Sequence, residues 1–224
     1  QSVKKNFSTG DWLKIVIKKI DLIRKKKKIP ILVGGTGLYF KALSEGLVEI
    51  PNIPIRFRDK VRNLQKKIGQ KKFFRKLIEI DPLIINKINP TDAQRSIRAY
   101  EVKSYTKKLL INWFENTKSK FKEKDFVKIY IDFPRLELLK RISKRTDMMF
   151  KKGVVKEVNK FLKLNIRKDN TSNKVIGISE IKDFLNKKSS LSEVKERISI
   201  KTRQYAKRQS TWARGQMMNW HKVN

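Results

Sequence analysis

Three glycines and a threonine follow a short apolar run in the first fifth of the sequence. The apolar run covers positions 29–33, and Gly34, Gly35, Thr36 and Gly37 come directly after it. A strand, a tight loop and the start of a helix would present backbone N–H groups to an anionic ligand at this point. Thr36 is the loop side chain that could form a hydrogen bond with such a ligand. The alternative is a glycine turn that only joins a strand to a helix.

A second group of polar side chains lies in the segment 92–102. Arg95 and Arg98 are three positions apart, and Gln94 precedes them. On a helix, this spacing places both guanidinium groups on one face, where together they can bind a phosphate. A glutamine beside them can hydrogen-bond the edge of a base. The alternative is an exposed basic face that pairs with Glu101.

The strongest basic segment of the chain covers positions 201–214. Lys207 and Arg208 stand one helical turn before Trp212. Basic side chains that alternate with an aromatic ring suit a single-stranded RNA, because the bases can stack while the charges bind the backbone. A C-terminal helix that packs Tyr205 and Trp212 into the core is the other interpretation. The two can hold together, since one face of a helix can pack while another binds.

Two more arginines, Arg141 and Arg145, are four positions apart in a segment that has helical character. Such a pair lies on one helix face and can form charge-assisted hydrogen bonds. A solvated basic face is the alternative.

Composition narrows the class of protein. The 224 residues are 39% hydrophobic, and 56 lysines and arginines against 21 acidic residues give a net charge of +35. A charge this large suits a polyanionic partner, although general enrichment in lysine could also produce it. There is no cysteine and His221 is the one histidine, which excludes disulfides and disfavours histidine catalysis. No apolar run approaches the roughly 18 residues of a membrane span, so we expect a cytoplasmic protein without membrane contact.

The hydrophobic pattern predicts an α/β protein. Strands are predicted at 29–33 and 126–133, and their helical surroundings favour a parallel sheet. Asp92, or the threonine before it, is expected to cap a helix, and Gly69 is expected to interrupt another. Helices are predicted at 11–24, 36–45, 56–80, 93–110, 134–149, 153–164, 178–186 and 191–214.

The motifs together resemble one family. VGGTGLYFKAL, DAQRSIRAYEV and TRQYAKRQSTWAR are similar to signatures of the tRNA dimethylallyltransferases, and the similarity runs in order from Phe7 to Arg214. A run from Leu138 to Val158 resembles a further motif of that family. The segment 174–180 also resembles a family motif, but Ile178 and Ser179 depart from its usual tyrosine and basic residue.

The resemblance implies a fold and a division of the chain. The expected fold is a P-loop-NTPase-like parallel sheet core, with a mostly helical inserted domain and C-terminal helices. Residues 1–50 and 119–224 would form the core, and residues 51–118 would form the insertion that faces tRNA. The core would also bind a nucleotide.

The resemblance further implies an activity. It is the transfer of a dimethylallyl group from dimethylallyl diphosphate to N6 of the adenosine 3′ of the anticodon. The tRNA anticodon stem-loop would be the partner of a monomeric protein, and Mg²⁺ would help to neutralise the leaving diphosphate. Thr36 would act at the reacting site, and Arg141 and Arg145 would bind the diphosphate. The positions that match the family's tRNA contacts are Arg58, Gln94, Arg95, Arg98, Lys207, Arg208, Gln209, Thr211, Trp212 and Arg214.

One part of the family pattern is missing from the sequence. The resembled family opens with a strand, a GxxxxGK[ST] phosphate loop and the aspartate that serves as general base. The present sequence begins at Gln1 and contains no such loop. We therefore expect a chain that lacks its first part and does not catalyse the transfer efficiently by itself. A tRNA-binding remnant without chemistry and a kinase-like enzyme acting on nucleotides are the alternatives.

Overall fold

Helices make up most of the protein. The structure is a computed structural model that describes residues 2–115, 117–167 and 170–223. No helix in these ranges is long and apolar enough to cross a membrane. The helices are α1 (Thr9–Lys25), α2 (Gly37–Ser44), α3 (Ile55–Ile80), α4 (Ala93–Thr106), α5 (Leu110–Glu115), α6 (Arg135–Lys151), α7 (Val154–Leu162), α8 (Ile178–Leu185) and α9 (Leu191–Gln216), and the strands are β1 (Ile129–Ile131) and β2 (His221–Val223).

The first of two compact units consists of Gln1–Ala42 and Lys122–Asn224. Its main core lies between α7, α8 and α9, where the side chains of Val158, Ile181 and Val194 are buried together. Helix α9 begins at a capping box. The Ser190 side chain accepts a hydrogen bond from the backbone N–H of Glu193, and the Glu193 carboxylate accepts one from the backbone N–H of Ser190. The predicted C-terminal helix is thereby confirmed, and its start is fixed by local sequence.

The sheet of this unit has two short parallel strands. Ile129 of β1 is paired with His221 of β2, and Ile131 is paired with Val223. The predicted strand at 126–133 is therefore present in a shorter form. Its partner was not predicted, because three residues are too few to show an alternating pattern. The protein is accordingly a mostly helical α/β protein with a small parallel sheet.

The predicted strand at 29–33 is not a strand in this structure. The segment has no regular secondary structure, and no strand among the described residues pairs with it. Ile29, Ile31 and Val33 are between 83% and 90% exposed. The prediction of a buried strand is therefore wrong here. A strand needs a neighbouring strand for its backbone hydrogen bonds, and an apolar sequence by itself does not provide one.

The second compact unit is the segment Leu43–Phe121. Its core includes Phe74, Leu77 and Ala99, which pack α3 against α4. Helix α3 is broken at Gly69, whose φ of 77° lies in the left-handed region that favours glycine. The Asp92 side chain caps α4 by accepting a 2.9 Å hydrogen bond from the backbone N–H of Arg95. Both local predictions are confirmed, whereas α4 ends at Thr106, before the predicted 110.

Candidate functional sites

The glycine loop of residues 34–37 packs against helix α9. The Gln209 side-chain amide donates a 2.7 Å hydrogen bond to the backbone carbonyl oxygen of Gly35. A Cβ atom added at Gly35 would lie 2.2 Å from the amide nitrogen of Gln209, and one added at Gly37 would lie 2.1 Å from the Trp212 ring. A Cβ atom at Gly37 would collide with a large aromatic ring, so the close approach of α9 requires glycine at that position. The atom that a Cβ at Gly35 would meet is the end of a flexible glutamine side chain, which can move aside.

Thr36 stands between these two contacts. It is exposed, and its carbonyl oxygen accepts a 2.9 Å hydrogen bond from the backbone N–H of Tyr39 in the first turn of α2. The predicted loop followed by a helix start is thus present, with Thr36 accessible from solvent. The role of Thr36 toward a ligand stays a prediction.

Aromatic pairs and one polar contact hold α2 in place. Tyr39 stacks on Trp12 of α1 with ring centroids 4.4 Å apart, and Phe40 meets the edge of Trp220 at 5.5 Å. The Lys41 ammonium donates a 2.7 Å hydrogen bond to the side-chain oxygen of a glutamine at the end of α9. Helix α2 is therefore fixed on both sides, and the loop before it is fixed through α9.

The basic segment of α9 lines a shallow groove. Lys207, Arg208 and Thr211 line it together with Gln204 and Trp212, at the spacing of one helix face. The two basic side chains are exposed, whereas Trp212 is half-buried. Predicted RNA contacts thus lie together on one surface, and Gln204 joins them although the sequence analysis did not select it.

Other residues of the same segment differ from the expectation. Tyr205 is 42% exposed, so it does not pack into the core as one interpretation required. The guanidinium of Arg208 lies 5.8 Å from the centre of the Tyr205 ring. Arg214 is exposed, and its Nε atom donates a 3.4 Å hydrogen bond to the backbone carbonyl oxygen of Ser210. Trp212 is thus half-buried against Gly37, whereas Tyr205 does not pack into the core.

A second basic groove lies on α6. Arg141 and Arg145 line it with Lys144, Lys152 and two methionines. Arg141 is held in place by Phe133, because its guanidinium lies 3.9 Å from the centre of that ring. Four cationic side chains in one groove can bind a diphosphate. The two lysines were not selected from the sequence, although Lys144 adjoins Arg145 and Lys152 lies two helical turns further on.

Thr146 of α6 is a buried residue that lies against α9. The Thr146 hydroxyl is buried, donates a 3.0 Å hydrogen bond to the Ile142 carbonyl oxygen and accepts a 3.2 Å hydrogen bond from Ser199 of α9. A polar contact thus connects α6 to α9 at this position.

In the second unit, three arginines surround one buried carboxylate. The Glu101 side chain is 2% exposed, and the nearest nitrogen–oxygen distances are 3.5 Å to Arg58, 3.7 Å to Arg62 and 3.6 Å to Arg98. Arg62 was missed by the sequence analysis, although it lies one helical turn after Arg58 on α3. We call Arg58, Arg62, Arg98 and Glu101 the arginine cluster.

The charge of the arginine cluster suits an anion. Burial lowers the pKa of Arg98, the neighbouring Glu101 opposes that change, and Arg58 adds to it through like-charge repulsion. Three guanidinium groups around one carboxylate leave an excess of positive charge, and each group is about two-fifths exposed. A phosphate at the surface would relieve the repulsion between them.

Gln94 and Arg95 are placed differently from Arg98. Both are exposed, and Arg95 lies 3.5 Å from the carboxylate of Asp92, the residue that caps α4. The structure therefore includes Arg98 in the arginine cluster and leaves Arg95 in an exposed ion pair at the start of the helix.

Glu180, in the segment that departs from the family motif, is a structural carboxylate. It accepts hydrogen bonds from the backbone N–H of Gly177 at 2.8 Å, from the Ser179 hydroxyl at 2.9 Å and from the Lys201 ammonium. Burial by itself would raise the pKa of Glu180, but these hydrogen bonds outweigh it and lower the pKa below its ordinary value. Ser179 is thus a partner of Glu180 in the fold.

We expect Glu180→Gln to destabilise the protein in a pH-dependent way. Because the pKa of Glu180 is lower in the folded protein, its contribution is present above the unfolded pKa of about 4.5 and is lost as the pH falls through the folded pKa. Near neutral pH the cost should be about 1–3 kcal/mol. Urea unfolding at several pH values measures it, and a wild-type-to-variant difference that stays constant below pH ~4.5 would contradict the prediction.

No metal site is evident in the part of the chain that the structure describes. No three histidine, aspartate or glutamate side chains there lie close enough together to hold a metal ion. The Mg²⁺ that the family resemblance implies stays a prediction, since this ion is usually held by one or two carboxylates together with substrate phosphates.

Comparison with known proteins decides the family. Residues 1–216 match the family model described as IPP transferase. The chain belongs to the IPP transferase family. Among curated relatives, the tRNA dimethylallyltransferase of Pelagibacter ubique is 57% identical over 222 residues, covering 99% of this chain and 71% of that protein. The enzyme of the same name from Rickettsia massiliae is 40% identical, covering 97% of this chain and 60% of that protein.

Solved structures of IPP transferases share the fold. A eukaryotic dimethylallyltransferase acting on tRNA has a TM-score of 0.76 and 26% identity, covering 94% of this chain and 54% of that one. The tRNA isopentenylpyrophosphate transferase of Bacillus halodurans has a TM-score of 0.63 and 28% identity, covering 100% and 69%. The resemblance predicted from the motifs is therefore confirmed, and with it the enzyme class, since these IPP transferases are named as prenyl transferases.

Proposed function

We propose that this IPP transferase takes part in the transfer of a dimethylallyl group to N6 of the adenosine 3′ of the anticodon in tRNA. The observation that carries the proposal is the glycine loop, whose exposed Thr36 lies beside the basic groove of α9 in one compact unit. The relatives named above bear the name of this activity. We further propose a monomer that acts in the cytoplasm.

The α9 groove would bind the RNA strand. Lys207 and Arg208 are exposed cations on one helix face and can bind successive phosphates. Thr211 offers a hydroxyl in the same groove, which the half-buried ring of Trp212 also lines. Arg214 lies further along the exposed part of the helix. The target base must leave its stack to react, so the RNA has to be held while the base is extruded.

The arginine cluster would bind tRNA at a second place. Its guanidinium groups are held by Glu101 and are partly exposed, which lowers the entropy cost of binding a phosphate. Gln94 and Arg95, exposed at the start of α4, would extend this contact. Such contacts position the RNA, since phosphates carry no sequence information.

The α6 groove would bind the diphosphate of the prenyl donor. In the reaction N6 attacks the first carbon of the dimethylallyl group, the bond from that carbon to oxygen breaks, and the diphosphate leaves with the bonding electrons. N6 loses a proton to a general base, a role that the resemblance gives to the aspartate of the family's opening segment. Negative charge therefore grows on the diphosphate as the bond breaks. Arg141 and Arg145, with Lys144 and Lys152 in the same groove, would stabilise that charge.

Replacing Arg141 or Arg145 by alanine should weaken binding of the prenyl donor. Loss of a hydrogen bond to a charged group costs about 1.5–3 kcal/mol, or roughly 10- to 100-fold in affinity. Lys140→Ala is the control, because Lys140 is exposed on the same helix and does not line the groove. Binding of dimethylallyl diphosphate is measured by calorimetry. An equal loss in the Lys140 variant would indicate a general charge effect.

Incubation with tRNA, dimethylallyl diphosphate and Mg²⁺, followed by mass analysis of the nucleosides, tests the proposed activity. The assay has two arms: the chain by itself, and the chain joined to a segment with the strand, the phosphate loop and the aspartate that open the resembled family. Prenylated adenosine in either arm, abolished when the donor is omitted, supports the proposal. Its absence from both arms, with tRNA still bound, supports the second candidate, a binding protein that uses the basic grooves without chemistry.

A further inference from the structure

Helix α9 uses two sets of side chains within the same two turns. Lys207, Arg208 and Thr211 line the groove, whereas Gln209 bonds to the carbonyl oxygen of Gly35. Trp212 belongs to both sets, because its ring lines the groove and also packs on Gly37. The surface proposed for RNA and the loop that carries Thr36 are thus connected through single side chains.

We infer that Gln209 and Trp212 are positioning residues that transmit RNA binding in the α9 groove to the glycine loop. This inference rests on the proposed function. It assigns them a role different from the direct RNA contact that the family resemblance implies. RNA in the groove would limit the movement of the Trp212 and Gln209 side chains, and the loop would then hold Thr36 in one place.

The contacts are close enough to transmit such a change. The Trp212 ring leaves no room for even a methyl group at Gly37, and the Gln209 amide is hydrogen-bonded to Gly35. A loop that packs on a large ring and accepts a hydrogen bond from the same helix is restrained by both side chains. The polar contact from Lys41 to Gln216 adds a third connection between α2 and α9.

The rest of α9 provides a fixed base for these contacts. Val194 and Ile198 in its first half are buried in the core of the unit. Lys201 bonds to the buried Glu180, and Ala213 is 5% exposed near the other end. Helix α9 is anchored at both ends, and the groove and the loop contacts lie between its anchors. Binding in the groove therefore affects the loop contacts.

Hydrogen exchange of the loop amides tests the coupling. The probe is a synthetic anticodon stem-loop RNA with an adenosine 3′ of the anticodon. In the unmodified protein, RNA should slow exchange at residues 34–38. In Gln209→Ala and Gln209→Glu, neither of which can donate to Gly35, loop exchange without RNA should be roughly five-fold faster, and RNA should slow it much less.

Arg208→Ala separates positioning from RNA contact. Arg208 lines the groove, so this variant should lose RNA affinity while loop exchange without RNA keeps its unmodified rate. The Gln209 variants should show the opposite pattern. If Gln209→Ala lowers RNA affinity as far as Arg208→Ala does and leaves loop exchange unchanged, the inference is overturned in favour of direct contact.

A pair of substitutions tests the steric contact without any ligand. Gly35→Ala should perturb loop exchange and lower the unfolding temperature, and adding Gln209→Ala should reverse much of that effect by removing the colliding amide. Gly215→Ala is the control, because a Cβ there meets no atom within 4 Å. An effect of Gly35→Ala that is unchanged by Gln209→Ala would overturn the contact. RNA bound without slower loop exchange would overturn only the coupling, whereas no RNA binding by the unmodified protein would overturn the proposed function as well.

Discussion

Replacing Arg58 and Arg98 together by alanine is expected to weaken tRNA binding by about 2–6 kcal/mol, since each lost phosphate or base contact costs about 1–3 kcal/mol. Both guanidinium groups are held against the buried Glu101 and remain partly exposed. They are therefore already placed for binding, unlike long side chains that must be ordered first. Filter binding or fluorescence anisotropy at fixed salt measures the change.

Two further variants make this result interpretable. Lys26→Ala with Lys28→Ala removes the same charge from an exposed lysine run and should cost only the general, salt-dependent part of the affinity. Replacing Arg58 and Arg98 leaves the buried Glu101 carboxylate with only Arg62 of the cluster beside it, which destabilises the fold. Adding Glu101→Gln removes that carboxylate, so that weakened binding by the triple variant is not caused by unfolding. If the lysine substitutions and the arginine substitutions weaken binding equally, the prediction of a specific contact by the arginine cluster is wrong.

Thr36→Ala is expected to slow prenyl transfer by about 100-fold or somewhat more, the usual effect of removing one hydrogen-bond donor from a developing charge. Thr36 is the exposed hydroxyl of the glycine loop, between the two glycines that α9 approaches. It is measured as the single-turnover rate with saturating tRNA and donor, in whichever form of the protein transfers the group.

Thr36→Ser is the matched control for that prediction. Serine keeps the hydroxyl and loses only a methyl group, so turnover should stay close to that of the unmodified protein. The unfolding midpoint of both variants should change little, because residue 36 is exposed. Equal turnover in the alanine and serine variants, with both well folded, would leave the loop with a purely structural role.

Local features of the fold followed from the sequence by itself. The break of α3 at Gly69, the cap of α4 at Asp92 and the extent of the last helix depend on residues within a few positions of one another. Such features depend on backbone dihedrals and short-range hydrogen bonds, which a sequence pattern encodes directly. The family was also recognisable from local motifs, and the match over residues 1–216 confirms it.

The sequence also predicted which surfaces carry charge, but it did not identify all of the residues that form them. Arg58 and Arg98 were selected from motifs, whereas Arg62 became apparent only when Glu101 was seen between α3 and α4. Lys144 and Lys152 were also missed, because the four-residue spacing selected only Arg141 and Arg145 on α6. Motifs select residues by type and position, and the partners that complete a cluster come from other turns or other helices.

The tertiary structure decided what the loop glycines and the α9 side chains do. The hydrogen bond from Gln209 to Gly35 joins positions 174 apart, and the pairing of β1 with β2 joins Ile129 to His221. The apolar run at 29–33 is predicted to be a strand, yet no described strand pairs with it, and Ile29, Ile31 and Val33 are exposed. Contacts between distant segments depend on how helices pack, and single-sequence periodicity carries no information about distance in space.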